Sequence, residues 1–133
     1  MSDIQVGTPI PVLELPPISG FTLALYAGAS GDHNPIHIDS DFAKQVGMPD
    51  VFAHGMLSMA YLGRMLTNWQ PQAQLRKFGN RFAAITQLQD AITCSGKVVE
   101  MIERDGETLA RCEIQAAKEN GEQTLIGEAL VAV

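Results

Sequence analysis

A carboxylate, an amide and an imidazole crowd into one short segment, Ser30-Gly31-Asp32-His33-Asn34-Pro35-Ile36-His37. On a helix, Asp32 and His37 would point to different sides, because only residues three or four apart share a face. Pro35 holds its φ near about −65°, and Gly28 and Gly31 lie just ahead of it. The segment therefore reads as an irregular turn in which both side chains can converge on one small volume. A carboxylate and an imidazole aimed at one point can hold, deprotonate and reprotonate a single water molecule. That is acid–base chemistry.

Such a turn needs elements on either side to aim it. Ser19 is placed to cap a short helix over Phe21–Ala29, and Gly28 and Gly31 release the chain from it. Asp39 or Ser40 caps a second short helix, which Gly47 and Pro49 terminate. A long helix follows, with Met56, Leu57, Met59, Ala60, Leu62, Met65, Leu66 and Trp69 around almost its whole circumference. A helix apolar all round belongs inside a larger structure.

Beyond Pro71 the pattern changes to strands, first over Leu75–Ile85 and then over Ala91–Arg104. Asp105-Gly106 and Asn120-Gly121 are dipeptides that favour two-residue hairpins. They predict further strands over Glu107–Lys118 and Gln123–Val133. A two-residue turn at Asp105-Gly106 would set Val99 opposite Cys112 and Cys94 opposite Ala117, so the two sulfurs are not cross-strand neighbours. Pro9, Pro11, Pro16 and Pro17 keep the start of the chain extended, with an edge strand around Val12–Leu15. The economical assembly is α+β: a curved antiparallel sheet wrapped around a long central helix.

The 133 residues suffice for one domain with one core, 1–133, and 46% hydrophobic residues mark it as globular. A net charge of −6 and a pI of about 4.9 exclude a nucleic-acid groove, which requires a basic stripe. No cationic-then-apolar segment opens the chain, so no signal peptide is expected. The apolar stretch from Val51 to Trp69 carries His54, Ser58, Arg64 and Asn68, so it is a buried helix and no membrane span is expected. Two cysteines without CxxC spacing point to reduced thiols and a cytoplasmic protein.

The run from Tyr26 to His37, followed by Phe52-Ala53-His54-Gly55-Met56-Leu57-Ser58-Met59, resembles the MaoC-like hydratase/dehydratase family. These are hot-dog-fold proteins that include (R)-specific enoyl-CoA hydratases and β-hydroxyacyl-ACP dehydratases. The resemblance implies a hot-dog fold, a lyase of fatty acid metabolism, and Asp32 and His37 as the catalytic pair. It implies that Asn34 orders the site and that the Gly55 backbone N–H meets the thioester oxygen. It also implies an acyl-CoA or acyl-ACP substrate, and a homodimer or other dimer of hot-dog subunits with acyl tunnels beside the interface. One departure is visible. Family members often carry a Pro-x-x-Pro-Gly-Asp-like turn after the Arg-Phe strand, whereas here Arg81-Phe82 is followed by Ala83 to Asp90 without a proline or glycine.

The assignment of Gly55 carries a structural condition. A helix capped by Asp50 would bond the Gly55 N–H back to Val51, while one starting near His54 leaves it among the unpaired donors of the first turn. The later start is expected. His54 is either a substrate contact or a hydrogen-bonded helix-start residue, and Ser58, one turn on, either faces the thioester or bonds back to its own helix. Arg76, Lys77 and Arg81 either meet the phosphates of CoA or of a phosphopantetheine carrier or form a solvated strand face; Arg81 is the candidate binding residue. Met56, Met59 and Met65 are core first and a flexible acyl lining second. His33 reads as a solvated turn residue and Asp39 as a helix cap. No metal is expected, because Pro35 breaks the face that His33 and His37 would need and no third ligand is evident. No cofactor is expected either. Besides the hydratase, a hot-dog thioesterase and a non-catalytic acyl-thioester-binding subunit are alternatives. The thioesterase would use a lone carboxylate, often helix-borne, and the Asp-x-Asn-Pro-x-His turn argues against it.

Overall fold

A computed structural model of the chain describes residues 3–133. Short-range chemistry builds its first half. The Ser19 side chain accepts from the Thr22 N–H and starts helix α1 over Gly20–Ser30, which ends where Gly31 turns left-handed at φ 78°. A single 3-10 turn, Pro35–His37, follows. Helix α2 spans Ser40–Gln45, and of the two cap candidates it is Asp39 that accepts from the Asp41 and Phe42 N–H groups. The long helix α3 runs over Gly55–Trp69.

The second half is the sheet. Strands β1 (Leu13–Glu14), β2 (Leu75–Phe82), β3 (Thr93–Arg104), β4 (Glu107–Ala117) and β5 (Gln123–Ala132) pair antiparallel in the order β1-β3-β4-β5-β2. The sheet curls around α3, whose Leu62, Met65 and Leu66 pack into a core with Val98, Ile114, Leu125 and Val131. Fully burying one such side chain contributes about 1.5–3 kcal/mol. A smaller core of Ile18, Leu23, Ala43, Val51, Ala53 and Leu57 ties α1 and α2 to the start of α3. That second core fixes the Asp32–His37 turn against the α3 N-terminus.

Four expectations need correcting. Helix α3 is not buried all round: Leu57, Ser58, Leu62, Met65 and Leu66 are buried, but Met56 is 54% exposed and Ala60 is also exposed. The sheet covers one side of the helix, so only the residues on that side lose water. The β3–β4 register follows the tight turn only as far as Glu100, where a bulge at Val99 moves the pairing to Val98 opposite Cys112 and Cys94 opposite Ala116. One extra residue in one strand shifts every later partner.

Asn120-Gly121 does not make a two-residue hairpin. Ala117 pairs with Gln123, the Lys118 N–H reaches the Glu122 carbonyl, and Asn120 Oδ1 accepts from the Glu122 N–H. The side chain of Asn120 does what a ladder hydrogen bond would have done, and the loop widens. Strand β2 stops at Phe82 rather than Ile85, because the Ala83 and Ala84 N–H groups both turn to the Thr124 carbonyl, at 2.8 and 3.3 Å. Two donors on one acceptor make a bend, not a ladder.

Cys94 and Cys112 are free and each is 0% exposed. Burial pushes the Cys94 thiol up to about 12 and the Cys112 thiol up to about 11. Because the thiolate is the reactive form, neither should react with a disulfide reagent such as DTNB in the folded protein, and both should react after denaturation. Rapid release of thionitrobenzoate from the native protein would contradict this packing. No described helix is long and apolar enough to cross a membrane.

Candidate active site

The Asp32–His37 turn is shaped by short side-chain-to-backbone hydrogen bonds. The Asp32 N–H bonds Ser30 Oγ, the Asn34 N–H bonds Asp32 Oδ1, and Asn34 Oδ1 caps the 3-10 turn by accepting from the Ile36 N–H at 3.1 Å. Asn34 thus shapes the turn with its side chain. Pro35 sits first in that turn, where its missing N–H costs nothing. The result leaves Asp32 exposed and His37 half-buried. His33, also exposed, joins neither of them.

His37 is anchored from the far side of the site. Its Nδ1 lies 2.8 Å from the Phe52 carbonyl, and its ring meets the Phe52 ring edge-on at 4.9 Å. A carbonyl only accepts, so Nδ1 must carry a proton and Nε2 is left to exchange one. Phe52 belongs to an extended segment leading into α3: it bridges Gln87, and the next N–H, that of Ala53, donates to the Thr86 carbonyl at 2.9 Å.

Helix α3 takes the later of its two starts. Asp50 does not cap it; its carboxylate accepts from Ser40 Oγ and from the Val51 N–H, and the Ser40 bond is the main cause holding its carboxyl below the usual value. His54 is the N-cap and Gly55 the first helical residue, so the Gly55 N–H is one of the donors left without an intrahelical acceptor. The helix dipole adds partial positive charge there. A side chain at position 55 would displace the Phe82 ring, since an ideal Cβ would sit 2.9 Å from Phe82 Cε1.

A cavity of about 320 Å³ opens beside this helix start, lined by Phe52, Ala53, Gly55, Ser58, Phe82, Thr86 and their neighbours. Asp32 and His37 are not part of its lining. Phe52 connects the two, with its carbonyl on His37 and its residue in the cavity wall. Ser58 is 3% exposed and borders the cavity, and no hydrogen bond to its own helix is formed by its hydroxyl. The segment after β2 that departs from the usual proline-glycine turn supplies Ala83 to Thr86 of the wall. It closes through the Gln87 N–H on the Asp90 carboxylate, with Gln89 at φ 71°.

Arg81 alternates with Phe82 along β2 and borders a different depression on the sheet, together with Lys77, Arg111, Glu113 and Glu128. Its basic neighbours are neutralised: Arg76 pairs with Glu107 at 2.6 Å and Lys77 with Glu128 at 2.5 Å. The solvated-face reading suits this arrangement.

Of the two readings of His54 the structure takes the hydrogen-bonded helix start, while its place against His37 has no signal in the sequence spacing. His54 is 2% exposed, stacked on His37 with ring centroids 4.0 Å apart, and its Nε2 lies 3.2 Å from the Asp32 carbonyl oxygen. Burial is the main cause holding its pKa below the usual histidine value; the Asp32 carbonyl raises it and His37 lowers it further. Among the described residues Asp32, His37 and His54 offer ligand atoms within 4.8 Å of one another, a set able to approach a cation. His33, set aside with His37 as a metal pair in the sequence, is not among them. His54 Nε2, however, is committed to the Asp32 carbonyl, so coordination through it would break that bond.

The curled five-stranded sheet around one long helix is the hot-dog fold. Residues 8–120 match the model of the MaoC like domain, and the chain belongs to that family. It is 29% identical over 118 residues to the (R)-specific enoyl-CoA hydratase of Rhodospirillum rubrum, covering 87% of this chain and 80% of that protein. It is 30% identical to a stretch of the fatty acid synthase subunit beta of Saccharomyces cerevisiae, covering 95% of this chain. The chain spans only 6% of that subunit and 5% of a second relative, the fatty acid synthase beta subunit TOXC of Cochliobolus carbonum. Among solved structures, R-hydratase PhaJ1 of Pseudomonas aeruginosa superposes with a TM-score of 0.80 at 27% identity, covering 98% of this chain and 83% of that one. The (R)-hydratase of A. caviae shares the fold with a TM-score of 0.85 at 22% identity, each chain being covered to 98%.

Proposed function

We propose that this chain is a hydro-lyase that adds water to, or removes it from, an acyl thioester, acting as an (R)-specific enoyl-thioester hydratase or 3-hydroxyacyl-thioester dehydratase. One observation carries the reading: a carboxylate (Asp32) and an imidazole (His37) lie within 4.8 Å of each other beside the helix start at Gly55. In a trans-2-enoyl thioester the far alkene carbon is weakly electrophilic, and charge builds on the thioester oxygen as water adds. The Gly55 N–H would stabilise that charge, an effect worth roughly 2.7–4 kcal/mol for a comparable donor. Asp32 would take the water proton while the oxygen bonds to the far carbon. His37 Nε2, which carries no proton at rest, would accept a hydrogen bond from the same water, and the proton taken by Asp32 would pass through it to the carbon next to the carbonyl, leaving both groups as they began. Reversal of these steps dehydrates a 3-hydroxyacyl thioester.

The cavity past Phe52 suits the acyl chain, with Ser58 as a polar contact near the thioester. The substrate would be carried on CoA or on a carrier protein. Strand β2 is an edge strand, and Met56, Phe82 and Ile85 beside it are 54%, 54% and 44% exposed. A second hot-dog subunit laid on this face would cover them and close the slot. Crotonyl-CoA given to the purified protein tests the reading. Loss of the enoyl absorbance with formation of 3-hydroxybutyryl-CoA is expected. Release of free thiol would instead make the protein a thioesterase, and no change in either signal would leave it a binding subunit.

A further inference from the structure

His54 is deep in the molecule yet touches both His37 and the Asp32 backbone. Its ring lies flat against His37, with an interplanar angle of 29°, and Tyr26 of α1 meets it edge-on at 4.8 Å. Its Nε2 faces the carbonyl oxygen of Asp32, which can only accept, so Nε2 must carry a proton. Its other nitrogen, Nδ1, is buried without a partner, which suits an unprotonated ring atom better than a buried N–H. His54 also precedes Gly55 as the N-cap of α3. At 2% exposure it is poorly placed to touch a substrate.

Resting on the hydro-lyase reading above, we propose that His54 is a positioning residue: its Nε2–H pins the Asp32 peptide while its ring forms the plate against which the His37 imidazole is held. The two histidines then have complementary tautomers. His37 is Nδ1–H, fixed by the Phe52 carbonyl, and His54 is Nε2–H, fixed by the Asp32 carbonyl. This arrangement solves a local problem. Bonds within the turn shape it and the Phe52 carbonyl anchors its His37 end, but the Asp32 end is exposed and needs its own tie to the α3 start. His54 joins the two sides, since it belongs to the α3 start and bonds the backbone of the turn. Burial and the adjacent His37 keep its ring neutral, so it serves as a fixed donor while the proton traffic stays with Asp32 and His37. A misplacement of about 1 Å in such a pair can cost about 10²-fold in rate.

Two measurements test this. Long-range ¹H–¹⁵N correlation spectra of the unmodified protein should show one imidazole as a neutral Nε2–H tautomer. That signal should vanish in His54→Gln. Whether or not crotonyl-CoA is a substrate, an Nδ1–H tautomer for His54, or titration in the ordinary histidine range, overturns the assignment. The second measurement is kinetic. His54→Phe keeps the plate and removes the donor, so kcat for crotonyl-CoA should fall about 10²-fold with KM unchanged. His54→Gln, which can place an amide N–H at similar reach, should recover part of the loss. A rise in KM with kcat unchanged would make His54 a substrate contact, and unchanged kinetics in both variants would make it packing alone; either result defeats the proposal. Thermal melts establish that the variants are folded, and if neither folds the tautomer decides the matter.

Discussion

Asp32→Asn should abolish nearly all enoyl hydration while leaving the fold untouched. The substitution keeps the shape of the side chain and the Oδ1 that accepts from the Asn34 N–H at 3.3 Å, so the turn survives. It removes the ability to accept a proton from water. Positioned proton transfer contributes typically about 10²–10⁴-fold, and the loss should fall in that range. Asp32 is exposed and makes no ion pair, so the melting temperature should change little; such surface substitutions usually stay within about 0.5 kcal/mol. The check is the enoyl absorbance of crotonyl-CoA followed alongside a thermal melt. A folded Asp32→Asn protein with activity near that of the parent would remove Asp32 from the chemistry and leave it as a turn-former.

The largest stability effect should come from a glycine on the other side of the molecule. Gly127 in β5 lies between Asn80 of β2 and Ile114 of β4. An ideal Cβ there would fall on Asn80 Oδ1 and on the Gly79 carbonyl oxygen, closer than real Cβ atoms come. A side chain could swing away, but a carbonyl inside the β2 ladder cannot move without drawing the strand with it. Gly127→Ala should therefore cost at least the 1–3 kcal/mol typical of overpacking, seen as a lowered denaturation midpoint. Gly79→Ala is the control, since a Cβ at Gly79 meets nothing within 4 Å. Equal midpoints for the two variants would show that β2 and β5 are spaced more widely than described. The effect should also reach the site, because β2 ends at Phe82, whose ring lies against Gly55.

The two predictions draw on different kinds of information. The first concerns a turn whose hydrogen bonds stay within a few residues: Ser30 to Asp32, Asp32 to Asn34, Asn34 to Ile36. Ser19 and Asp39 as caps and Gly31 as a left-handed stop belong to the same local order. Local sequence dictates such features because a side chain meets its own backbone before anything else. The strand pattern and the helix wrapped by a sheet were legible too, since alternation and helical period report which face must leave water.

Other features arose only from contacts between distant segments. Nothing local shows that a bulge sits at Val99, or that Asn120 opens the second hairpin by bonding Glu122. The half-open side of α3 follows from how far the sheet curls, so Met56 reads as core and lies in water.

By itself, then, the sequence determined the turn that carries Asp32 and His37 and the caps on either side, because those rest on interactions spanning a few bonds. Only the tertiary structure decided that His54 would stack on His37 and hold Asp32, that Arg81 would border a different depression from Phe82, and that the Ala83–Thr86 segment would wall the cavity. Those juxtapositions depend on how the α3 start packs against the turn and on which way each strand residue points. Both are set by close packing over the whole core and not by any neighbour in the chain.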